Sequence, residues 1–253
     1  MRAPRKPCDQ PLVIAHRGST ASHPEHTLAA YQRAIEEGAD LLECDVRLTA
    51  DGHLVCVHDR RIDRTSDGRG VVSAKTLAQL RRWDFGTGSD SVLRLEELVE
   101  LVLGTDRPVG LAIETKHPNR YAGLVEQRAL ETVRQFGLLP SRFETDSRVY
   151  LMSFAELALR RWRELAPGAP SVFLMERIPL RCRKGWLPFA ARAAGPSVEI
   201  LRQDPGYVSR VHRAGGRVFV WTVDEVADIE LCRELGVDAM ITNRPGLLRT
   251  HLG

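Results

Sequence analysis

The chain has 253 residues, 43% apolar and 27% charged, with a formal net charge of +3. That is enough apolar sequence for one large core, and α/β barrels reach this length as a single domain, so a soluble globular protein is expected. The small, scattered positive charge excludes a dedicated nucleic-acid surface, and no run reaches the roughly 18 apolar residues of a membrane span.

The basic N-terminal stretch MRAPRKPCDQP is not followed by the apolar segment of a signal peptide, which predicts no export. Five cysteines, Cys8, Cys44, Cys56, Cys182 and Cys232, form no C-x-x-C pair and no even set. A reducing, cytoplasmic location follows from that usage. Cys44 and Cys56 stand in apolar runs, where cysteine packs as a small hydrophobe.

In chain order, LVIAH (12–16) predicts a first strand, followed by the polar loop STASHPEH and the helix pattern EHTLAAYQRAIEEG. DLLECDVRL (40–48) predicts a second strand, which GHLVCVHD extends after an ADG turn. The stretch from His58 to Arg94 is too long for one strand-to-helix connection and carries turn chemistry in DGRG and FGTGSDS. Six further strands are predicted: VGLAIETK (109–116), RVYLMSF (148–154), SVFLM (171–175), SVEIL (197–201), RVFVWTV (217–223) and DAMIT (238–242). Helix patterns LEELVELVLG, YAGLVEQRALETVRQFG, FAELALRRWRELAPG and VADIELCRELG lie between them, several ending in the glycine of a C-cap. Where the fifth helix should be stands RIPLRCRKGWLPFAARAAGP instead. Eight strands alternating with helices predict a TIM (β/α)₈ barrel, an α/β fold, with a small insertion at about 59–94 in a single domain spanning 1–253.

Active sites of such barrels lie at the C-terminal ends of the strands. Strand one ends in His16 and Arg17; strand two carries Glu43 and Asp45, and strand three Glu114 and Lys116. Residues two apart share a strand face, so three carboxylates converge while Leu42, Cys44 and Val46 point outward. Carboxylates so crowded require a cation. An ion-pair network with Arg17, Arg47 and Lys116 is one way to supply it. A hard divalent cation, Mg²⁺ or Ca²⁺ with Mn²⁺ admissible, fits an all-oxygen ligand set better and leaves His16 and His58 free for proton transfer. His23 and His26 are assigned loop or supporting positions, and His53 a solvated turn.

With these residues in place the sequence resembles the glycerophosphodiester phosphodiesterase family. The family pattern of HRG, PENT, E-x-D, HD and E-x-K is matched by HRG (16–18), PEHT (24–27), ECD (43–45), HD (58–59) and ETK (114–116). The likeness continues through RTSDGRG, LEELVELV, VFVWTV and ITNRP, covering nearly the whole chain. It implies one divalent metal on Glu43, Asp45 and Glu114, His16 and His58 as acid and base, and Arg17 and Lys116 on the phosphate. Trp221 would pack against the glycerol, with Ser153 and Phe154 as further wall residues. Two positions depart from the pattern: His26 replaces the usual Asn, and Asn243 replaces a common Asp.

The implied reaction is metal-dependent hydrolysis of a small glycerophosphodiester to glycerol phosphate and an alcohol. A lysophospholipase D-type reaction on acylated diesters is the alternative, with a weak peripheral lipid contact at 177–189 through Arg177, Arg181, Arg183, Lys184, Trp186 and Phe189. A solvated loop with Trp186 and Phe189 packed inward is the simpler expectation for that stretch. A non-catalytic phosphodiester-binding barrel would have lost a ligand or a histidine, and none is missing.

Overall fold

The computed structural model describes residues 10–86, 88, 90–139 and 147–253; Cys8, the N-terminal stretch up to residue 9 and part of the FGTGSDS turn lie outside them. Eight parallel strands close a barrel: β1 (Leu12–His16), β2 (Leu41–Leu48), β4 (Gly110–Thr115), β5 (Val149–Ser153), β6 (Ser171–Met175), β7 (Ala193–Pro196), β8 (Arg217–Val220) and β9 (Ala239–Thr242). Closure comes from β1 pairing with both β2 and β9. A short β3 (Leu54–Cys56) lies antiparallel on the upper end of β2, as the alternation in GHLVCVHD implies.

The strand faces sort by chemistry. Outward residues of β2 and β4, Leu42, Cys44, Val46, Leu111 and Ile113, join the core beneath the helices. Inward residues Ile14, Leu41, Ala112, Met152 and Phe219 fill the barrel. Along β2 the inward face therefore passes from Leu41 to Glu43 and Asp45, apolar at depth and acidic at the mouth. Register completes the convergence, because His16 is level with Glu43 and Asp45 with Glu114.

The helices α1 (Leu28–Glu36), α3 (Leu95–Leu103), α4 (Leu124–Gln135), α5 (Glu156–Leu165) and α8 (Val226–Leu235) lie inside the predicted patterns. Thr27 caps α1 by accepting from Ala30 N at 3.1 Å. The segment between β3 and α3 contains a one-turn α2 (Leu77–Leu80) and builds a satellite core from Val57, Ile62, Val72, Leu80 and Phe85.

One predicted strand is a helix. SVEIL falls in α6 (Val198–Gln203), and the seventh barrel strand is the preceding AAGP, 193–196. A short apolar run does not distinguish strand from helix; here Val198 and Leu201 are buried while Glu199 and Arg202 face water, a helical spacing. The true strand is hidden by its small residues. A Cβ on Gly195 would stand 2.7 Å from Leu174 Cδ2, so close strand packing requires glycine there. Two further helices, α7 (Gly206–Arg213) and α9 (Pro245–Leu252), complete the outer layer.

Between β6 and β7 the chain makes two 3₁₀ turns, 180–182 and 188–190, and no α-helix. It begins at Glu176 beside the mouth and descends the flank until Leu187 lies against Gly216, which precedes β8. Trp186 is 66% exposed, contrary to the inward packing expected, whereas Phe189 does pack on the core.

Candidate active site

The HRG turn fixes the first strand end. Arg17 adopts a left-handed φ of 58° and Gly18 one of 95°. A Cβ on Gly18 would stand 2.7 Å from Ala30 C, so α1 packs directly against this turn. In return Arg17 N donates to Glu43 O at 3.2 Å and to Glu43 Oε2 at 3.0 Å. A non-glycine left-handed residue costs about 1–3 kcal/mol and persists where its surroundings determine it; these two bonds, with α1 behind them, do so.

One carboxylate oxygen from each of Glu43, Asp45 and Glu114 lies within 4.8 Å of the other two, and all three residues are buried. Burial, and then the Asp45 charge, push Glu43 well above the carboxylate range. The same two causes push Glu114 up to about 8. Asp45 is also opposed by burial, but His26, Lys116 and Arg17 hold it well below the usual range. Its two oxygens have different surroundings: Oδ2 meets Arg17 Nε and His26 Nε2, each at 3.0 Å. Oδ1 is buried without a hydrogen bond, its nearest cation being Lys116 Nζ at 3.2 Å. Lys116 Nζ also lies 2.7 Å from Glu114 Oε1. The ion-pair alternative is thus partly realised by Arg17 and Lys116. Arg47 takes no part in it, since its guanidinium donates to His58 O at 3.0 and 2.7 Å. An orphaned Asp45 oxygen among two carboxyls held above their ordinary range fits a group that could hold a hard divalent cation.

Both histidines line the same cavity, of about 190 Å³. His16 Nδ1 lies 2.8 Å from Asn243 Oδ1. The amide is oriented by Asp224, whose Oδ2 accepts from Asn243 Nδ2 at 2.6 Å, so Oδ1 is the face turned to His16. His16 Nδ1 therefore carries a proton and Nε2 is left for the cavity. Burial, with Arg17 second, lowers this imidazole to about 4. His58 Nδ1 lies 2.7 Å from Asp59 Oδ1, a carboxylate that only accepts, so its proton is also on Nδ1. Burial is the main cause lowering His58, while Asp45 and Asp59 oppose it.

A clasp crosses the mouth. Arg64, from the segment after β3, donates to Glu25 at 2.8 Å and to Asp59 at 2.6 Å, and Glu25 pairs with Arg17 at 3.3 Å. The hydrogen bond from Arg64, and after it that from His58, depress Asp59 to about 2 against the opposing effect of burial. The segment predicted as an insertion thereby holds the orienting partner of His58.

The other half of the mouth, from β5 through β8, is mostly apolar. Trp221 reaches the cavity and its Nε1 donates to Gly195 O at 2.7 Å. Phe154 meets it edge-on, with ring centroids 5.4 Å apart. Ser153 is not a wall residue: it is fully buried, donating to Thr115 O at 3.1 Å and accepting from Ala155 N at 3.2 Å. All eight predicted site residues surround one place; Asp45 alone is screened from the cavity surface, behind Arg17 and Lys116. Sequence reasoning gave no role to Asp59, Asn243, Asp224, Arg64 or Glu176. Asp59 had a signal in the HD motif, whereas Asp224 and Glu176 are single acids after strand ends with no local pattern.

Residues 16–247 match the glycerophosphoryl diester phosphodiesterase family. A "Probable glycerophosphodiester phosphodiesterase 1" of Mycobacterium tuberculosis is 46% identical, covering 96% of this chain and 92% of that protein. A glycerophosphodiester phosphodiesterase of Bacillus subtilis is 30% identical over 94% of this chain and 85% of its own length. Among solved structures, an Oleispira antarctica phosphodiesterase in complex with the product sn-glycerol-3-phosphate superposes with a TM-score of 0.81, at 25% identity and with 95% of this chain and 96% of that one covered.

Proposed function

This chain belongs to the glycerophosphoryl diester phosphodiesterase family and is a phosphoric diester hydrolase, and from that premise we propose that it cleaves small, water-soluble glycerophosphodiesters to glycerol phosphate and an alcohol by two-histidine acid/base catalysis. The observation that carries this reading is the pair of Nδ1-anchored imidazoles, His16 and His58, on one cavity with the three carboxylates. Substrate size is supported by the cavity volume of about 190 Å³, below the roughly 300–1,000 Å³ of pockets for drug-sized ligands. The relative from Oleispira, bound to sn-glycerol-3-phosphate, supports the product.

Glu43, Asp45 and Glu114 would hold one divalent cation, Mg²⁺, Ca²⁺ or Mn²⁺. Bound there, it supplies charge neutralisation to the phosphate oxygens. Arg17 and Lys116 bind the same phosphate and orient it, their charges already fixed by Asp45 and Glu114. Trp221 packs on the glycerol. A base must be unprotonated when it acts, and His16, lowered to about 4 and paired with a neutral amide, meets that requirement. We assign His16 Nε2 to take the proton of the attacking hydroxyl. The acid must carry a proton; burial lowers the His58 imidazole, and the Asp59 carboxylate against Nδ1, with the Asp45 charge, opposes that lowering in favour of the imidazolium. His58 Nε2 accordingly protonates the leaving alkoxide.

A panel of glycerophosphodiesters and lysophospholipids, with Mg²⁺, Ca²⁺ or Mn²⁺ and alcohol release as readout, tests the reading. Absence of hydrolysis across all metals and diesters would leave a non-catalytic binding barrel.

The exposure of Leu180, 77%, and Trp186, 66%, favours a second reading, weak peripheral contact of 177–189 with lipid. Its descent along the flank and the pairing of Arg181 with Glu156 weigh against a lip around the mouth. Sedimentation with anionic vesicles, before and after reversing Arg181, Arg183 and Lys184 to Glu, separates the two. We read 1–253 as one catalytic domain with an insertion at about 59–94. Four buried, unpaired cysteines, Cys44, Cys56, Cys182 and Cys232, support a reducing, cytoplasmic location. No helix among the described residues is long and apolar enough to cross a membrane.

A further inference from the structure

Lys116 stands where the barrel wall gives out. β4 ends at Thr115, whose carbonyl accepts from Ser153 Oγ at 3.1 Å, and the next backbone bond, from Lys116 N to Val46 O, is stretched to 3.4 Å. Beyond it the chain leaves the sheet, yet Lys116 Nζ has to stand 2.7 Å from Glu114 Oε1 and 3.2 Å from Asp45 Oδ1. A lysine carries its charge on a flexible four-carbon stem, so where that charge rests depends on how firmly its backbone is fixed.

The following residue supplies an anchor. His117 Nε2 lies 2.6 Å from Oε1 of Glu126, a residue of α4 with no exposed surface. The neighbouring amide fixes the tautomer. Asn119 Oδ1 accepts from Tyr121 N at 2.9 Å, so Asn119 Nδ2 is turned to His117 Nδ1, at 3.1 Å, and donates to it. His117 Nδ1 is therefore an acceptor, and Nε2 carries the proton given to Glu126. Arg161 of α5 approaches the same Oε1 at 3.6 Å, whereas Oε2 is buried with no hydrogen-bond partner among the described residues. Tyr121 in turn donates its hydroxyl to Ser73 O, in the insertion, at 2.9 Å. A half-satisfied carboxylate in the interior stabilises a fold less than a well-packed apolar side chain would. What Glu126 does provide is a directed acceptor that holds the imidazole beside Lys116 in one place.

We propose that His117 and Glu126 are positioning residues for the phosphate clamp, acting through the backbone at 116–117 to keep Lys116 Nζ where the phosphate binds. Neither residue lines the cavity, so neither touches substrate itself. This rests on the diesterase reading above, which puts Lys116 on the phosphate, and deepens it.

The test is a double-mutant cycle, read as the Kd for sn-glycerol 3-phosphate by calorimetry and as KM and kcat for glycerophosphocholine. Unfolded protein lowers the calorimetric stoichiometry and not Kd, so affinity is read separately from how much of a variant is folded. His117→Ala and Glu126→Leu are each expected to weaken product binding and raise KM about tenfold, with a much smaller fall in kcat, because ground state and transition state lose the same phosphate contact. Glu126→Gln, which keeps an oxygen turned to His117, should retain most of the wild-type affinity. In a Lys116→Ala background H117A should add nothing, since a positioning residue has no effect once the group it positions is gone. Losses that multiply in the double variant would overturn the proposal, as would a fall confined to kcat or an E126Q as weak as E126L. Absence of turnover in the wild type would instead overturn the diesterase reading, and the Kd series, which needs no turnover, still decides the positioning.

Discussion

His26 Nε2 lies 3.0 Å from Asp45 Oδ2, while its Nδ1 meets the Tyr31 hydroxyl at 2.8 Å and that hydroxyl donates to Glu43 O at 3.1 Å. A single buried chain thus ties together the two acidic residues of β2 and leaves Asp45 Oδ1 facing Lys116 and the neighbouring carboxylates. Partners of ligating carboxylates typically account for about 10–100-fold in metal affinity. His26→Ala is expected to lower Mg²⁺ or Ca²⁺ affinity within that range by calorimetry. His26→Asn, the residue at this position in the family pattern, should recover part of it. Unchanged affinity in H26A would show that Arg17 alone suffices to orient Asp45.

Glu43→Gln removes one of three mutually repelling, buried carboxylates without changing the side chain's volume. Activity is expected to be nearly abolished, with a thermal midpoint in the absence of divalent cation equal to or above that of wild type. Near-wild-type turnover of E43Q without added metal would end the metal-site reading.

Replacing either imidazole should cost about 10²–10⁴ in rate, the usual range for a positioned acid or base. A nitrophenyl diester, whose leaving group needs no proton, distinguishes the roles. It is expected to restore turnover to His58→Ala and not to His16→Ala. Rescue of H16A alone would exchange the two assignments, and equal rescue of both would dissolve them.

Glu114 connects the site to pH. Its carboxyl rises from 4.5 to about 8 on folding, through burial and the Asp45 charge. A folded carboxyl of raised pKa binds its proton more tightly than the unfolded one, so its stabilising contribution is present below 4.5 and lost as pH rises toward 8. A divalent cation held by this group would take the place of that proton. The gain in thermal midpoint on adding Mg²⁺ or Ca²⁺ should therefore be larger at about pH 8 than at about pH 5. Glu114→Gln should flatten the difference; a gain independent of pH would contradict it.

Much of this site was legible because strand geometry converts spacing into direction. Glu43 and Asp45, two apart with apolar neighbours between, had to share the barrel interior, and Glu114 repeated the arrangement one strand away. His58 was reached through the alternation of GHLVCVHD, which does place β3 on β2. What stayed hidden depends on distant parts of the chain meeting. Asn243 orients His16 only because Asp224, from another strand end, fixes its amide. Arg64 matters because it bridges loops separated by 39 residues. The missed strand 193–196 shows the same limit from another side: Ala, Gly and Pro are poor strand formers, selected here by the tight contact of Gly195 with Leu174.

The flank between β6 and β7 has a consequence for how the molecule opens. Elsewhere an amphipathic helix covers adjoining strands and must be lifted as a unit before their amides meet solvent. Here the cover is irregular chain, anchored where Gly185, in a left-handed turn, abuts the Arg210 backbone with no room for a side chain. Cooperative stability is lowest where few regular hydrogen bonds have to break together. The exposed Arg177, Arg181, Arg183 and Lys184 lie in this same stretch. Limited trypsin digestion should therefore make its first cut there, and a nicked barrel whose other strand connections remain intact would still present both histidines and all three carboxylates on one face.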